Sequence, residues 1–398
     1  MSPHVFLVAG EESGDRLGAS LIAALKRHAP GVRFSGIGGS HMAGEGVPSL
    51  FPLGDLAIIG VGAILSGLPK ILRRIREAAD AVIAAKPDVL VIIDSPEFTH
   101  RVARRVRAIA PHIPIVDYVC PSVWAWRPGR ARAMRHYVDH VLALLPFEPA
   151  AMQRLGGPPC TFVGHPLSEK VADLRPSADE ARRRLSDPPI LLVLPGSRAS
   201  EIRRMADVFG GAVALVAART GPIEVIVPAI PRLADAVRAA TASWRVPVRV
   251  VTLAVEKDAA FRTARAALSK SGTSTLELAV AGVPMVAAYK VSLLEEMIGR
   301  AFIRVKSFIL ANLVLDENVV PEFLQHFCTA EALAGALVPL LTDTPDRQRQ
   351  IAAFARLDAI MAIGTAVPSD RAAVAILDCV PGLNQLRGEA VAPPPPRA

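Results

Sequence analysis

At 398 residues the chain is long enough for two or three domains, each with its own core. Hydrophobic residues make up 51% but aromatics only 5%, and 21% is charged; this excludes intrinsic disorder and suits aliphatic parallel strands buried under helices. The net charge of +8 and pI near 9.7 point to an acidic partner, whether nucleic acid, anionic lipid or a phosphorylated substrate.

Four scattered cysteines (Cys120, Cys160, Cys328, Cys379) lack C-x-x-C spacing, which argues against a zinc site or a disulfide framework. The N-terminus enters a strand at His4 without a basic leader, and the uncharged run Leu56–Pro69 is too short and glycine-rich to span a bilayer. A cytoplasmic enzyme is therefore expected.

In chain order, the pattern predicts a strand at Val5–Val8, a helix from about Asp15 to His28 and a strand at Arg33–Gly36. A helix from Pro69 to Ala85 precedes the strand Val89–Ile93, and a helix over Thr99–Ala110 leads to the strand Ile115–Val119. Such β-α alternation implies a doubly wound parallel sheet. After Val163–Pro166 and a polar stretch from Ser168 to Pro189, the pattern restarts with strands at 190–194, 224–227, 248–253, 266–268 and 285–288. We expect an acceptor-binding Rossmann-like domain over 1–166 and a nucleotide-sugar-binding one over 167–385, whose last helices can pack back on the first. A proline-rich, disordered tail is expected over 386–398.

Ligands of open α/β sheets sit beyond the carboxyl ends of strands. Four loops fall there: Gly10–Asp15, Asp94–Phe98, Pro195–Arg198 and Ser269–Thr275. In the last, Ser271, Gly272 and Thr273 open a helix beside Lys270, a seat for an anion. Ser274 and Glu277 equally spell a capping box. Two sheets facing through these loops would enclose a cleft, acidic on one side and phosphate-binding on the other. That is the layout of a GT-B-type nucleotide-sugar glycosyltransferase.

The loops are more specific than the architecture. Val8-Ala-Gly-Glu-Glu-Ser-Gly-Asp15, Ile93-Asp-Ser-Pro-Glu-Phe98, Val119-Cys-Pro-Ser-Val-Trp-Ala-Trp-Arg127, Leu194-Pro-Gly-Ser-Arg198 and Ser271-Gly-Thr273 resemble, in order, the lipid-A-disaccharide synthase family. The resemblance runs to about Asn318. It implies an inverting transfer from UDP-2,3-diacylglucosamine to 2,3-diacylglucosamine 1-phosphate, giving a β-1,6-linked disaccharide 1-phosphate and UDP. It also implies work at the anionic cytoplasmic face of the inner membrane, with room for a homodimer and with no nucleic-acid partner. The chain departs from the family pattern at Glu12, Ser95 and Glu97 and in its longer tail, which leaves the reaction class intact.

Inversion at an anomeric carbon needs a carboxylate to take the proton of the attacking 6-hydroxyl. Asp94, at the end of an apolar strand, is the expected base, because a partly desolvated carboxylate is a better proton acceptor; capping of the helix near Pro96 is its alternative role. Glu97 is expected as a cap partner or acceptor contact. Glu11 and Asp15 are expected as hydrogen-bonding partners of acceptor hydroxyls, with helix capping open for Asp15. Arg198 offers a bidentate fork to the diphosphate. Ser271, Gly272 and Thr273 would supply N–H and hydroxyl donors, and Glu277 resembles the acidic residue that holds ribose in related folds. The resemblance adds Ser13 and Asn312 to the substrate-binding set. No Asp-x-Asp pair is present, so neither metal nor cofactor is expected; arginine and helix dipole would stabilise departing UDP.

Trp124 and Trp126, followed by Arg127, Arg130, Arg132 and Arg135, could form a nucleic-acid stacking platform, but acidic loops beside them would repel phosphate, so a structural, acceptor-shaping role is preferred. Ile64, Leu65 and Leu68, flanked by Lys70, Arg73 and Arg74, read as an interfacial segment for anionic lipid and acyl chains; Met297–Ile309 is a second candidate. The rival functions are another UDP-sugar enzyme of this fold, such as an epimerase or a different lipid-linked glycosyltransferase, and a basic nucleic-acid-binding protein.

Overall fold

A computed structural model describes residues 3–56, 61–291, 307–363 and 367–379, with backbone only for 61–68. The chain divides into two compact units, Met1–Pro166 with Thr365–Ala398, and Leu167–Gly364.

The first unit holds six strands: β1 (His4–Ala9), β2 (Arg33–Ile37), β3 (Val89–Ile93), β4 (Ile115–Tyr118), β5 (His140–Ala143) and β6 (Cys160–Phe162). They pair in parallel in the order β2-β1-β3-β4-β5-β6. Every residue of β1 and β3 is buried, as a parallel sheet covered on both faces requires. Alternate residues feed opposite layers. Phe6, Val8, Leu90 and Ile92 meet one set of helices, and Val5, Leu7, Val89, Val91 and Ile93 the other. The latter layer includes Ala372, Ala373, Ile376 and Leu377 of the helix Pro368–Cys379, so the C-terminal helix completes the first unit's core.

The second unit repeats the design with β7 (Ile190–Leu194), β8 (Glu224–Pro228), β9 (Val248–Val251), β10 (Ala266–Lys270), β11 (Met285–Tyr289) and β12 (Glu322–Leu324). All pairs are parallel, in the order β12-β11-β10-β7-β8-β9. Leu191, Val193, Val225, Val227, Ala266 and Leu268 pack against Phe209 and Val213 of the helix Ala199–Thr220 and Leu333 and Leu337 of the helix Ala330–Leu341.

Each strand order has one place where the winding reverses, between β1 and β3 in the first unit and between β7 and β10 in the second. Ligands of doubly wound sheets bind at such switch points. The four loops singled out from the sequence are the ones that follow these four strands.

Three differences from the predicted elements stand out. β5, β6 and β12 were not read as strands, being three or four residues long. The first helix begins at Glu12, not near Asp15, because Asp15 donates its N–H to the Glu11 carbonyl. The helix read as starting at Pro69 spans Val61–Ala85 with Pro69 inside it; a proline removes one intrahelical bond, which the turns on either side absorb.

Candidate active site

β3 is a run of aliphatic residues that ends at Asp94. The chain then turns through two consecutive left-handed residues, Asp94 (φ 54°) and Ser95 (φ 48°), before the helix Pro96–Ile109. Aspartate tolerates this region better than most residues. The Asp94 N–H donates to the Tyr118 carbonyl (3.1 Å) and its own carbonyl accepts from Thr99 Oγ1 (2.7 Å), which fixes the turn. On the carboxylate, Oδ1 accepts from the Ser95 N–H (2.7 Å) and Oδ2 from Ser13 Oγ (2.8 Å). Ser13 arrives from the loop after β1, and the two loops approach so closely that a Cβ on Gly10 would lie 2.4 Å from Ser95 Cβ. Ser95, not Asp94, occupies the N-cap position, so the capping role considered for Asp94 is not realised.

Asp94 borders a cavity of about 230 Å³, lined also by Glu97, Cys120, Val123, Trp126 and Arg130. Glu97 accepts from Arg130 (2.5 Å), whose guanidinium holds its carboxyl below the usual range. The far wall is the loop after β4. Trp124 is anchored there, donating Nε1–H to Glu148 (3.2 Å) and meeting Phe147 edge-on at 5.0 Å. Glu148 also accepts from the Leu145 N–H (2.9 Å), and burial pushes its pKa up to about 7. Trp126 is exposed, with the guanidiniums of Arg127 and Arg130 at 4.5 and 5.8 Å from its ring centroid. Those cations already stack on the ring, unlike a bare nucleobase platform.

Asp15 shows the capping-type role that the sequence left open beside acceptor contact, though at another helix. Its buried carboxylate accepts from the backbone N–H groups of Gly39 (2.6 Å), His41 (3.0 Å) and Met42 (3.0 Å), tying the first helix to the loop after β2. Glu11 is the exposed N-cap residue of the helix Glu12–His28, and its side chain makes no capping bond. One buried pair escaped sequence reading: His100 Nε2 lies 3.1 Å from Asp117 Oδ2, with burial raising the Asp117 pKa. Its signal was an aspartate inside the apolar strand Ile-Val-Asp-Tyr.

At the second switch point, Pro195–Arg198 wraps around Glu201, a residue the sequence reading did not single out. Glu201 Oε2 accepts from the N–H groups of Ser197 (3.0 Å) and Arg198 (3.3 Å). Its Oε1 meets Arg198 Nη1 (3.0 Å) and Lys270 Nζ (3.1 Å). Gly196, at φ 137°, makes room: a Cβ there would lie 2.5 Å from Glu201 Cβ. Burial opposes ionisation of Glu201, but Lys270 and the Ser197 N–H outweigh it and hold the pKa low. Lys270 also sits 4.5 Å over the Tyr289 ring. One carboxylate thus sets two cations side by side, while the Arg198 side chain stays 76% exposed. The signal was a glutamate three residues after the helix-initiating arginine.

The loop after β10 divides its labour differently from expectation. Ser271 is spent internally: its N–H donates to the Ala288 carbonyl (2.9 Å) and its hydroxyl to the Phe308 carbonyl (3.0 Å). Gly272 and Thr273 keep N–H groups with no protein acceptor among the described residues. The Ser274–Glu277 capping box does not form; Glu277 instead pairs with Lys257 (3.4 Å). Asn312 also has protein partners on every side. Its buried amide accepts from the N–H groups of Val319 and Val320 and donates to Ser307 Oγ and the Val320 carbonyl, a loop clamp with its bonding capacity used.

Ile64, Leu65 and Leu68 lie outside the residues whose side chains are described, and Met297–Ile309 is described only from 307 onward. The cationic flank is less free than its sequence suggested. Lys70 pairs with Asp55 (2.6 Å), Arg73 with Glu77 (3.4 Å), and Arg74 with both carboxylates. Among the described residues no helix is long and apolar enough to cross a membrane, and no group of His, Cys, Asp and Glu is placed to hold a metal ion.

The family model for lipid-A-disaccharide synthetase matches residues 5–367. A lipid-A-disaccharide synthase of Nitrobacter hamburgensis is 61% identical, covering 95% of this chain and 96% of its own. That of Ruegeria pomeroyi is 45% identical over 95% and 96% of the two chains. Among solved structures, UDP-GlcNAc 2-epimerase from Neisseria meningitidis bound to UDP-GlcNAc superposes with a TM-score of 0.61 at 13% identity, covering 94% of this chain and 100% of that one. MurG of Acinetobacter baumannii gives 0.54 at 16% identity, over 95% and 99%. At such identities these two speak for the fold alone, the two-sheet GT-B type expected from the sequence. The family match spans both sheets and all four switch-point loops, and the chain belongs to the lipid-A-disaccharide synthase family.

Proposed function

We propose that the two switch points divide the lipid-A-disaccharide synthase reaction between them. The first unit holds 2,3-diacylglucosamine 1-phosphate in the pocket beside Asp94, and the second holds UDP-2,3-diacylglucosamine by its diphosphate. Asp94 takes the proton from the acceptor 6-hydroxyl as O6 attacks the donor anomeric carbon. The new C1–O6 bond forms with inversion as the bond to the β-phosphate breaks, and UDP leaves with the electron pair. Ser13 orients the base. Arg198, with Lys270 beside it and the N–H groups of Gly272 and Thr273 opposite, meets the charge that grows on the leaving diphosphate. Glu277 and Glu11 remain candidates for ribose and acceptor hydroxyls.

The observation that carries this reading is Asp94 itself: a carboxylate held by one hydroxyl and one N–H at the edge of a sugar-sized pocket, with no cation among its hydrogen-bond partners. The products require a lipid environment, so we place the enzyme peripherally at the anionic cytoplasmic face of the inner membrane. Ile64, Leu65 and Leu68 would meet acyl chains there, and a homodimer is compatible with this placement. UDP release from the diacylated donor, measured with and without the monosaccharide 1-phosphate, tests the assignment. Release that needs no acylated acceptor would overturn it. Chelator is expected to leave the rate intact.

A further inference from the structure

Next to residues that line the Asp94 pocket stand two cations that its carboxylates do not pair. Arg130 is committed to Glu97. Arg127 and Arg101 both lie near enough to Glu97 to add to the effect of Arg130 on it. Yet neither guanidinium makes a hydrogen bond or an ion pair with any described residue, and both residues are exposed. Arg127 is nevertheless fixed in place. Its guanidinium lies 4.5 Å from the Trp126 centroid, and its backbone holds φ 52°, a region that residues other than glycine avoid. Of the eight non-glycine residues with positive φ among those described, four (Asp94, Ser95, Val119 and Arg127) belong to the two loops that form this pocket. Strain concentrated in this way marks sites where a side chain is aimed at a ligand.

The pocket has room for one sugar ring. On a hexosamine, the C1 substituent lies across the ring oxygen from the C6 hydroxyl. A ligand with its 6-hydroxyl at Asp94 therefore carries its C1 substituent within the span of one ring from that carboxylate. A dianionic phosphomonoester there would find a guanidinium with an open fork. We propose that Arg127, with Arg101 beside Glu97, forms a phosphomonoester subsite that recognises the anomeric phosphate of the acceptor. The inference rests on the reading of the first unit as the acceptor side. A phospholipid headgroup offers related chemistry, but the aromatic ring that holds Arg127 also lines the sugar pocket, which favours the acceptor.

The test compares kcat/KM in neutral mixed micelles for diacylglucosamine 1-phosphate and for the same lipid without its phosphate. Arg127→Ala should lower kcat/KM for the phosphorylated acceptor roughly ten- to a hundredfold, the usual cost of a charge-assisted pair. The preference for the phosphorylated acceptor should shrink by the same factor, with Arg127→Lys recovering part of it. Should Arg127→Ala melt early, Arg127→Lys and Arg101→Ala carry the same comparison. Equal losses on both acceptors would overturn the subsite and leave Arg127 as a support for Trp126. A loss seen only when anionic phospholipid is added would assign the residue to the bilayer and overturn it too. Wild-type enzyme without acceptor-dependent UDP release would overturn the acceptor-side reading, a result seen before any variant is compared.

Discussion

Asp94 and Glu201 are both carboxylates at the carboxyl end of a parallel sheet, one at each switch point, and their partners are opposite in kind. Asp94 is half-buried and held by a hydroxyl and a backbone N–H, neither of which cancels its charge. Glu201 is only 5% exposed and holds Arg198 and Lys270, whose charges it partly offsets. Loop glycines, Gly10 and Gly196, allow the close approach in both places. On the proposed reading, what differs is which member of the cluster meets the ligand. A group that must accept a proton is best supported by neutral donors. Cations that must receive a diphosphate are best pinned by a buried anion, which prevents their mutual repulsion from spreading them apart.

The sharpest way to break this comparison is Asp94→Asn. The amide keeps the shape and can still accept from Ser13, but it cannot take the proton. Turnover should fall roughly a hundred- to ten-thousandfold, while calorimetric affinity for UDP stays close to wild type. Wild-type-like turnover would remove Asp94 from the chemistry and with it the contrast between the two sites.

At the second site the prediction has the opposite signature. Arg198→Ala should weaken donor binding and slow transfer together, by roughly ten- to a hundredfold in kcat/KM, with lysine restoring only part. Glu201→Gln touches no ligand but leaves two cations without their anchor. We expect a donor KM raised by about tenfold and a stability loss of about 1–2 kcal/mol, since Lys270 is largely buried while Arg198 is solvated. A Glu201→Gln enzyme with unchanged donor KM would reduce Glu201 to a helix cap.

A third carboxylate, Glu148, supports the wall of the pocket beside Asp94 and separates the two regimes by pH. Its folded pKa of about 7 stands above the ordinary value of 4.5. The unfolded chain releases this proton near 4.5 and the folded chain holds it until about 7. Its contribution is therefore fully present below the lower value and lost as pH rises through the higher one, about 3 kcal/mol in all. Melting temperatures compared at pH 5 and 8 should show that loss, and Glu148→Gln should shrink it. An identical pH dependence in the variant would mean that other groups carry it.

The elements with long aliphatic runs or clear helical periodicity were legible in the sequence, and so were the four loops, since Gly, Pro, Ser and Asp at strand ends have few other readings. β5, β6 and β12 were not, because three or four residues carry too little pattern. The places of Asp94 and Arg198 at strand ends were legible, because each follows an aliphatic strand that the pattern marks clearly. Asp15 was singled out as a polar residue in a strand-end loop and Asn312 through the family resemblance. Only the fold reveals the backbone N–H groups, distant in sequence or across a turn, that each of them accepts from. The ion pairs of the cationic flank were hidden for the same reason: Asp55, which pairs with Lys70 and Arg74, lies outside the helix that bears them.

The smallest expected effect sharpens the comparison most finely. Ser13→Ala removes one neutral hydrogen bond from Asp94, about 0.5–1.5 kcal/mol net, so kcat should fall roughly two- to tenfold. The Ser95 N–H still holds the other oxygen, and the Ser13 side chain lies on the surface, so the fold should be indifferent to the change. If Ser13 acts only by orienting the base, its loss should cost nothing further once the base is gone. The double variant with Asp94→Asn should then match the single one in rate, a fully non-additive pair. Additive losses would show that Ser13 contacts the substrate on its own account. The neutral partner would then be part of the machinery, and the distinction drawn between the two switch points would fail on its acidic side.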